Sequence, residues 1–66
     1  MVRTTKAQRV TLKRKCIEQN WSLSRQNKPL LTYRAFRRTV QGGWGCIMVQ
    51  WCGMWVGIEP DGYAHT

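Results

Sequence analysis

All eleven Lys and Arg residues fall within the first 38 positions, and the next twenty, Thr39 to Ile58, carry no charged side chain. Segregation this sharp divides the chain into a half that must stay in solvent or meet an anion and a half suited to a core. Glu18 is the one acid among the eleven cations, so the front half carries about +10, while Glu59 and Asp61 leave the rear half negative. A chain of 66 residues forms one domain, here with a basic helical half (1–41) and an apolar β half (44–66). At this size only about 60 % of the unfolded surface is buried, so a disulfide, a metal, self-association or a bound partner has stability to add.

Residues Thr5 to Asn20 lack Gly and Pro and are rich in helix formers. Their spacing predicts a helix with Ala7, Val10, Ile17 and Trp21 on the core-facing stripe and Lys6, Arg9 and Lys13 together on one flank. Leu12 and Cys16 fall on the far side, as if the helix were touched from two directions. Ser22 to Leu31 reads as the connection, broken by Asn27-Lys28-Pro29. Thr32 suits an N-cap for a second helix, Tyr33 to Gln41, ended by Gly42 and Gly43. On it Tyr33, Phe36 and Val40 share the buried face, Arg34, Arg38 and Gln41 the opposite one, and Arg37 the boundary.

After Trp44 the period changes from helix to strand. Cys46–Gln50 and Met54–Ile58 are runs of strand formers around a three-residue loop, Trp51-Cys52-Gly53, with Gly53 left-handed. Glu59-Pro60-Asp61-Gly62 has the chemistry of a type I turn, which returns Tyr63–Thr66 as a third strand. The expected fold is α+β, two helices followed by a three-stranded antiparallel β-meander. Ile47, Val49 and Trp51 would line one sheet face, with Cys46 and Met48 on the other. Two helices cover only one such face, so the other is expected to meet a second copy, giving a homodimer through the sheet, or another protein.

The basic N-terminus has no apolar run behind it, so no secretory signal is read and an intracellular setting is expected. Cys16, Cys46 and Cys52 are then expected to be small hydrophobes. With His65 they would complete a tetrahedral set, but no spacing among them has the short step of a zinc module, so no metal or other cofactor is expected. One His and three carboxylates, without nucleophile, paired-acid or phosphate-loop spacing, point away from an enzyme and give no catalytic residues. The uncharged run 39–58 has the length of a single membrane span and contains the pair Gly53 and Gly57, but five glycines and the turn after Ile58 weigh against that reading.

The charge therefore selects the partner. Arg34, Arg37 and Arg38, supported by Arg9, Lys13 and Lys28, form the candidate interface to nucleic acid, DNA or RNA. Arginine can bond phosphate bidentately, and backbone contacts need only charge and reach. The connection between the helices is too long for a helix-turn-helix, which favours sequence-blind binding. Trp44, Trp51, Trp55 and Tyr63 are a rival site, able to stack unpaired bases, although in so small a chain these rings serve first as core. The remaining alternative is an interaction module docking on an acidic host or virion protein.

LTYRAFRRTVQ and VQWCGMWVGIEPDGYAHT, about half the chain, resemble segments of short, basic, uncharacterised proteins encoded by bacteriophages. The resemblance implies a viral protein acting in the host cytoplasm, on nucleic acid or on a host protein. It assigns no functional residue.

Overall fold

A computed structural model describes residues 2–42 and 45–66. The chain forms α1 (Lys6–Arg25), α2 (Tyr33–Arg38) and four strands, β1 (Gln41–Gly42), β2 (Ile47–Trp51), β3 (Met54–Ile58) and β4 (Ala64–His65). The strands make an antiparallel meander in the order β1-β2-β3-β4. The α+β class is as expected, with four strands instead of three.

Thr5 starts α1 through a capping box: its hydroxyl accepts from Gln8 N–H at 3.0 Å, and Gln8 Oε1 accepts from Thr5 N–H at 2.8 Å. The helix runs five residues past the expected end at Asn20. The core side is also the reverse of the expected one. Val10, Ile17 and Trp21 are 51, 54 and 64 % exposed, whereas Gln8, Leu12 and Cys16 are buried. The β2–β3 hairpin reaches the last turns of α1, where Cys52 N–H donates to Gln19 Oε1 at 3.3 Å, so Trp21 is exposed because it faces away from the sheet. The reason for the reversal is that Gln8 is fully bonded in the interior, its Nε2 donating to Gly45 O at 2.7 Å and Ile58 O at 3.1 Å. A polar residue bonded in this way takes a core position at little cost.

The second direction of contact on α1 is α2. Asn20 clamps the connection, accepting from Leu31 N–H at 2.9 Å and donating to Leu31 O at 2.8 Å. From there the chain runs back along α1. Thr32 caps α2 as expected, accepting from Ala35 N–H. The helix ends at Arg38, not Gln41. Thr39 caps it with a bond from its hydroxyl to Phe36 O, and Gln41 pairs with Met48 in β1. Gly43, the second expected terminator, lies outside the described residues. Gly42 meets Val2, which a Cβ at that position would strike.

The β2–β3 hairpin is tighter than expected. Trp51 pairs with Met54, leaving a two-residue loop in which Cys52 (φ 50°) and Gly53 (φ 81°) both have positive φ, the signature of a type I′ turn. The 59–62 turn is as expected, with Gly62 N–H donating to Glu59 O at 2.8 Å and Gly62 left-handed. It is bolted to α1 by Thr5 Oγ1 donating to Pro60 O and Thr11 Oγ1 to Gly62 O, both at 2.6 Å.

Leu12, Cys16, Phe36, Val40, Ile47, Val49, Val56 and Ile58 make one core between the helices and the inner sheet face. Each fully buried large aliphatic or aromatic contributes about 1.5–3 kcal/mol. Trp51 closes the end of this core, donating from Nε1 to Lys15 O at 3.1 Å beneath the Lys15 ammonium, which sits 4.3 Å from the ring centroid. The outer face, with Met48 and Trp55, is uncovered. Among the described residues no helix is long and apolar enough to cross a membrane. Within the uncharged run that matched a span in length, Gln41–Gly42, Ile47–Trp51 and Met54–Ile58 are strands, which corrects the single-span reading.

Candidate nucleic-acid interface

The antiparallel course of α2 along α1 gathers cations from both helices onto one side of the molecule. Lys13 of α1 stands 5.7 Å over the Tyr33 ring of α2. One turn back, Arg9 Nη1 donates to Thr4 O at 2.9 Å and approaches Thr4 Oγ1 at 3.4 Å. Arg37 Nη2 donates to the same Thr4 hydroxyl at 2.9 Å. Two guanidinium groups from different helices therefore converge on one neutral hydroxyl. Arg37 Nε is buried without a partner. Arg34 and Arg38 are exposed on the outer side of α2, where Arg38 lines a hollow with Val2, Arg37 and Val40.

The three acids have other partners. Glu18 pairs with Lys15 at 3.3 Å, Glu59 with His65 at 3.5 Å, and Asp61 Oδ1 accepts from Tyr63 N–H at 2.9 Å. No other ion pair occurs among the described residues, so none of Arg9, Lys13, Arg34, Arg37 and Arg38 is neutralised. Lys28 does not join them. It sits beyond the C-terminal end of α1, its N–H bonded to Leu23 O, beside Cys52 and Gly53 of the hairpin. Arg9 and Arg37 thus meet at Thr4, Arg38 stands beside Arg37, Lys13 lies over Tyr33 and Arg34 is exposed on α2, while Lys28 is at the opposite end of α1.

Thr4 was missing from the sequence-based site. It carries no charge, and only the packing of the N-terminal segment against α2 brings it between the two arginines.

The rival aromatic platform is not assembled as a set. Trp51 turns inward and Trp44 lies outside the described residues, which leaves Trp55 and Tyr63 exposed on the outer sheet face. The cysteines also separate. Cys16 is buried, and burial pushes its thiol pKa up, while Cys52 is exposed in the hairpin. Of the four residues weighed as a tetrahedral set, Cys46 and His65 approach each other, with Sγ and Nε2 at 4.0 Å.

Comparison with protein-family models, curated proteins and solved structures finds no match to this chain.

Proposed function

We propose that the protein binds nucleic acid by gripping the phosphate backbone with the α1–α2 face, with little sequence specificity. The observation that carries this reading is the convergence of Arg9 and Arg37 on Thr4 with no ion pair to either of them among the described residues. Like charges about 6 Å apart repel by about 0.7 kcal/mol in bulk water and about 3 kcal/mol at an effective dielectric constant of 20. A phosphate between or beside them turns that repulsion into attraction, and arginine offers it paired donors. Backbone contact is favoured over base reading because α2 has six residues, about 9 Å of helix, too little to carry several side chains along a groove.

The test is binding of the full chain to a labelled duplex of arbitrary sequence across a salt series. Neutralising about five phosphates gives a slope of log K against log salt near −4 to −5, which Arg34→Ala or Arg38→Ala each flattens by about one. Lys28→Ala leaves the slope unchanged. Affinity that does not move between dilute and physiological salt removes the reading.

A second reading rests on the exposed stripe of Val10, Ile17 and Trp21, which Arg14 interrupts. An apolar ridge with a cationic border fits a groove on an acidic protein. The two readings separate on Trp21→Ala, which leaves duplex binding intact under the first and removes partner binding under the second.

A further inference from the structure

The outer face of the sheet carries a constellation unrelated to the basic face. Register places it there: β2 pairs with β3 through Met48↔Gly57, and β3 with β4 through Gly57↔His65. Side chains two residues apart on a strand share a face, so Cys46 and Met48, Glu59, and His65 surround Gly57 on the same side. The sulfur of Cys46, a ring nitrogen of His65 and a carboxylate oxygen of Glu59 all lie within 4.8 Å of one another. Cys46 Sγ to His65 Nε2 is 4.0 Å, and His65 Nε2 to Glu59 Oε1 is 3.5 Å.

Two further features hold this arrangement. A Cβ at Gly57 would sit 2.7 Å from His65 Cε1 and 2.9 Å from Nε2, so the imidazole lies over the glycine in space that any other residue would fill. The same point is 3.2 Å from Met48 Sδ, which brings a thioether to the rim. Tyr63 stacks on the ring, with centroids 6.2 Å apart and planes at 22°.

We propose that Cys46, Glu59 and His65 form a zinc site, with the fourth position open to water or to Met48. Zinc takes thiolate at about 2.3 Å and imidazole or carboxylate at about 2.0–2.2 Å, which sets tetrahedral ligand atoms about 3.3–3.7 Å apart. The His–Glu separation already fits, and the Cys–His separation closes with a shift of about half an ångström, within the freedom of half-exposed side chains. The mixed sulfur, nitrogen and oxygen set selects zinc over copper(I), which prefers soft ligands throughout. A thiolate and a carboxylate balance the dication, so the site binds neutral overall. It ties the start of β2, the turn after β3 and the short β4 together, where the meander is held by few backbone bonds. The proposal is independent of the basic face, because none of its residues lies there.

The test is zinc titration of the reduced full chain against a chromophoric chelator, with cobalt(II) as a spectroscopic stand-in. Expected are one equivalent bound, a thiolate-to-cobalt charge-transfer band in the near ultraviolet, and loss of that band in Cys46→Ser. Removal of a group that only hydrogen-bonds to a metal ligand already weakens metal binding about 10–100-fold, so Cys46→Ser and His65→Gln should each weaken it by at least about 100-fold. Glu59→Gln weakens it less, and Cys52→Ser leaves it unchanged. Zinc at about 100 times its Kd raises the folding equilibrium constant about 100-fold, which denaturant titration reads without a spectroscopic band. The proposal is overturned by any of three results: no stoichiometric zinc binding, binding that survives Cys46→Ser but not Cys52→Ser, or copper(I) binding indifferent to Glu59→Gln where zinc fails.

Discussion

Gly53 and Gly62 have nearly the same backbone, φ 81° and 93°, in different surroundings. A Cβ at Gly53 meets nothing within 4 Å, so Gly53→Ala carries only the left-handed strain of about 1 kcal/mol. A Cβ at Gly62 would sit 2.9 Å from Ala7 O and 3.1 Å from Thr11 Oγ1, against the helix to which the turn is bolted. Gly62→Ala should therefore lower the urea midpoint at least twice as far as Gly53→Ala; equal losses would mean that the contact between the turn and α1 carries no energy. Both positions were legible in the sequence because turn chemistry is local: Pro60 and Gly62 sit four-residue-turn fashion, and Gly53 closes a hairpin. Cys52 was not. A thiol at positive φ has no sequence signature, and it follows only from the pairing of Trp51 with Met54, which shortens the loop to two residues.

At the scale of elements, the start of α2 at Thr32 and the existence of the β2–β3 hairpin were legible because their periods are clean and a capping or turn residue marks each, whereas the end of α2 and the length of the hairpin loop were not. The burial of α1 was not, since Val10, Ile17 and Trp21 point away from the sheet and its core face includes Gln8. Hydrophobic periodicity cannot register a buried amide whose partners, Gly45 O and Ile58 O, lie 37 and 50 residues away. The capping pattern Thr5-x-x-Gln8 was present to be read, but it announces a helix start without revealing that the same amide also reaches the sheet. β1 escaped for another reason: two residues with exposed side chains, Gln41 and Gly42, have no pattern of their own and become a strand through β2. A pair of substitutions measures the inversion. Gln8→Leu, more apolar, removes bonding partners from Thr5 N–H and both carbonyls and should cost about 2–3 kcal/mol in denaturant unfolding. Ile17→Ser, which removes a large apolar side chain from the expected stripe, should stay within about 0.5 kcal/mol of wild type. The reverse ranking would restore the stripe of Val10, Ile17 and Trp21 to the core.

For the whole molecule, the governing quantity is a net charge of +8 on 66 residues, with the cations concentrated on the helical side. Such a distribution repels itself in the folded state, so monovalent salt, which shortens the screening length to about 8 Å at physiological strength, should raise the melting temperature of the free protein. Binding to phosphate backbone has the opposite sign, because salt competes for the same cations. An oligonucleotide at 100 times its Kd contributes about 2.7 kcal/mol, and a domain of this size gains about 4–8 °C for each kcal/mol, so the complex should melt about 10–20 °C higher in dilute buffer. Adding salt should then lower the melting temperature of the complex while raising that of the free protein, until the two curves meet. Arg34→Ala combined with Arg38→Ala reduces both slopes, since it removes two contributors to repulsion and two to attraction. Melting curves of wild type and double variant, with and without a short duplex over a salt series, provide the check. Salt slopes of the same sign in all four would mean that the basic face does not meet phosphate at all.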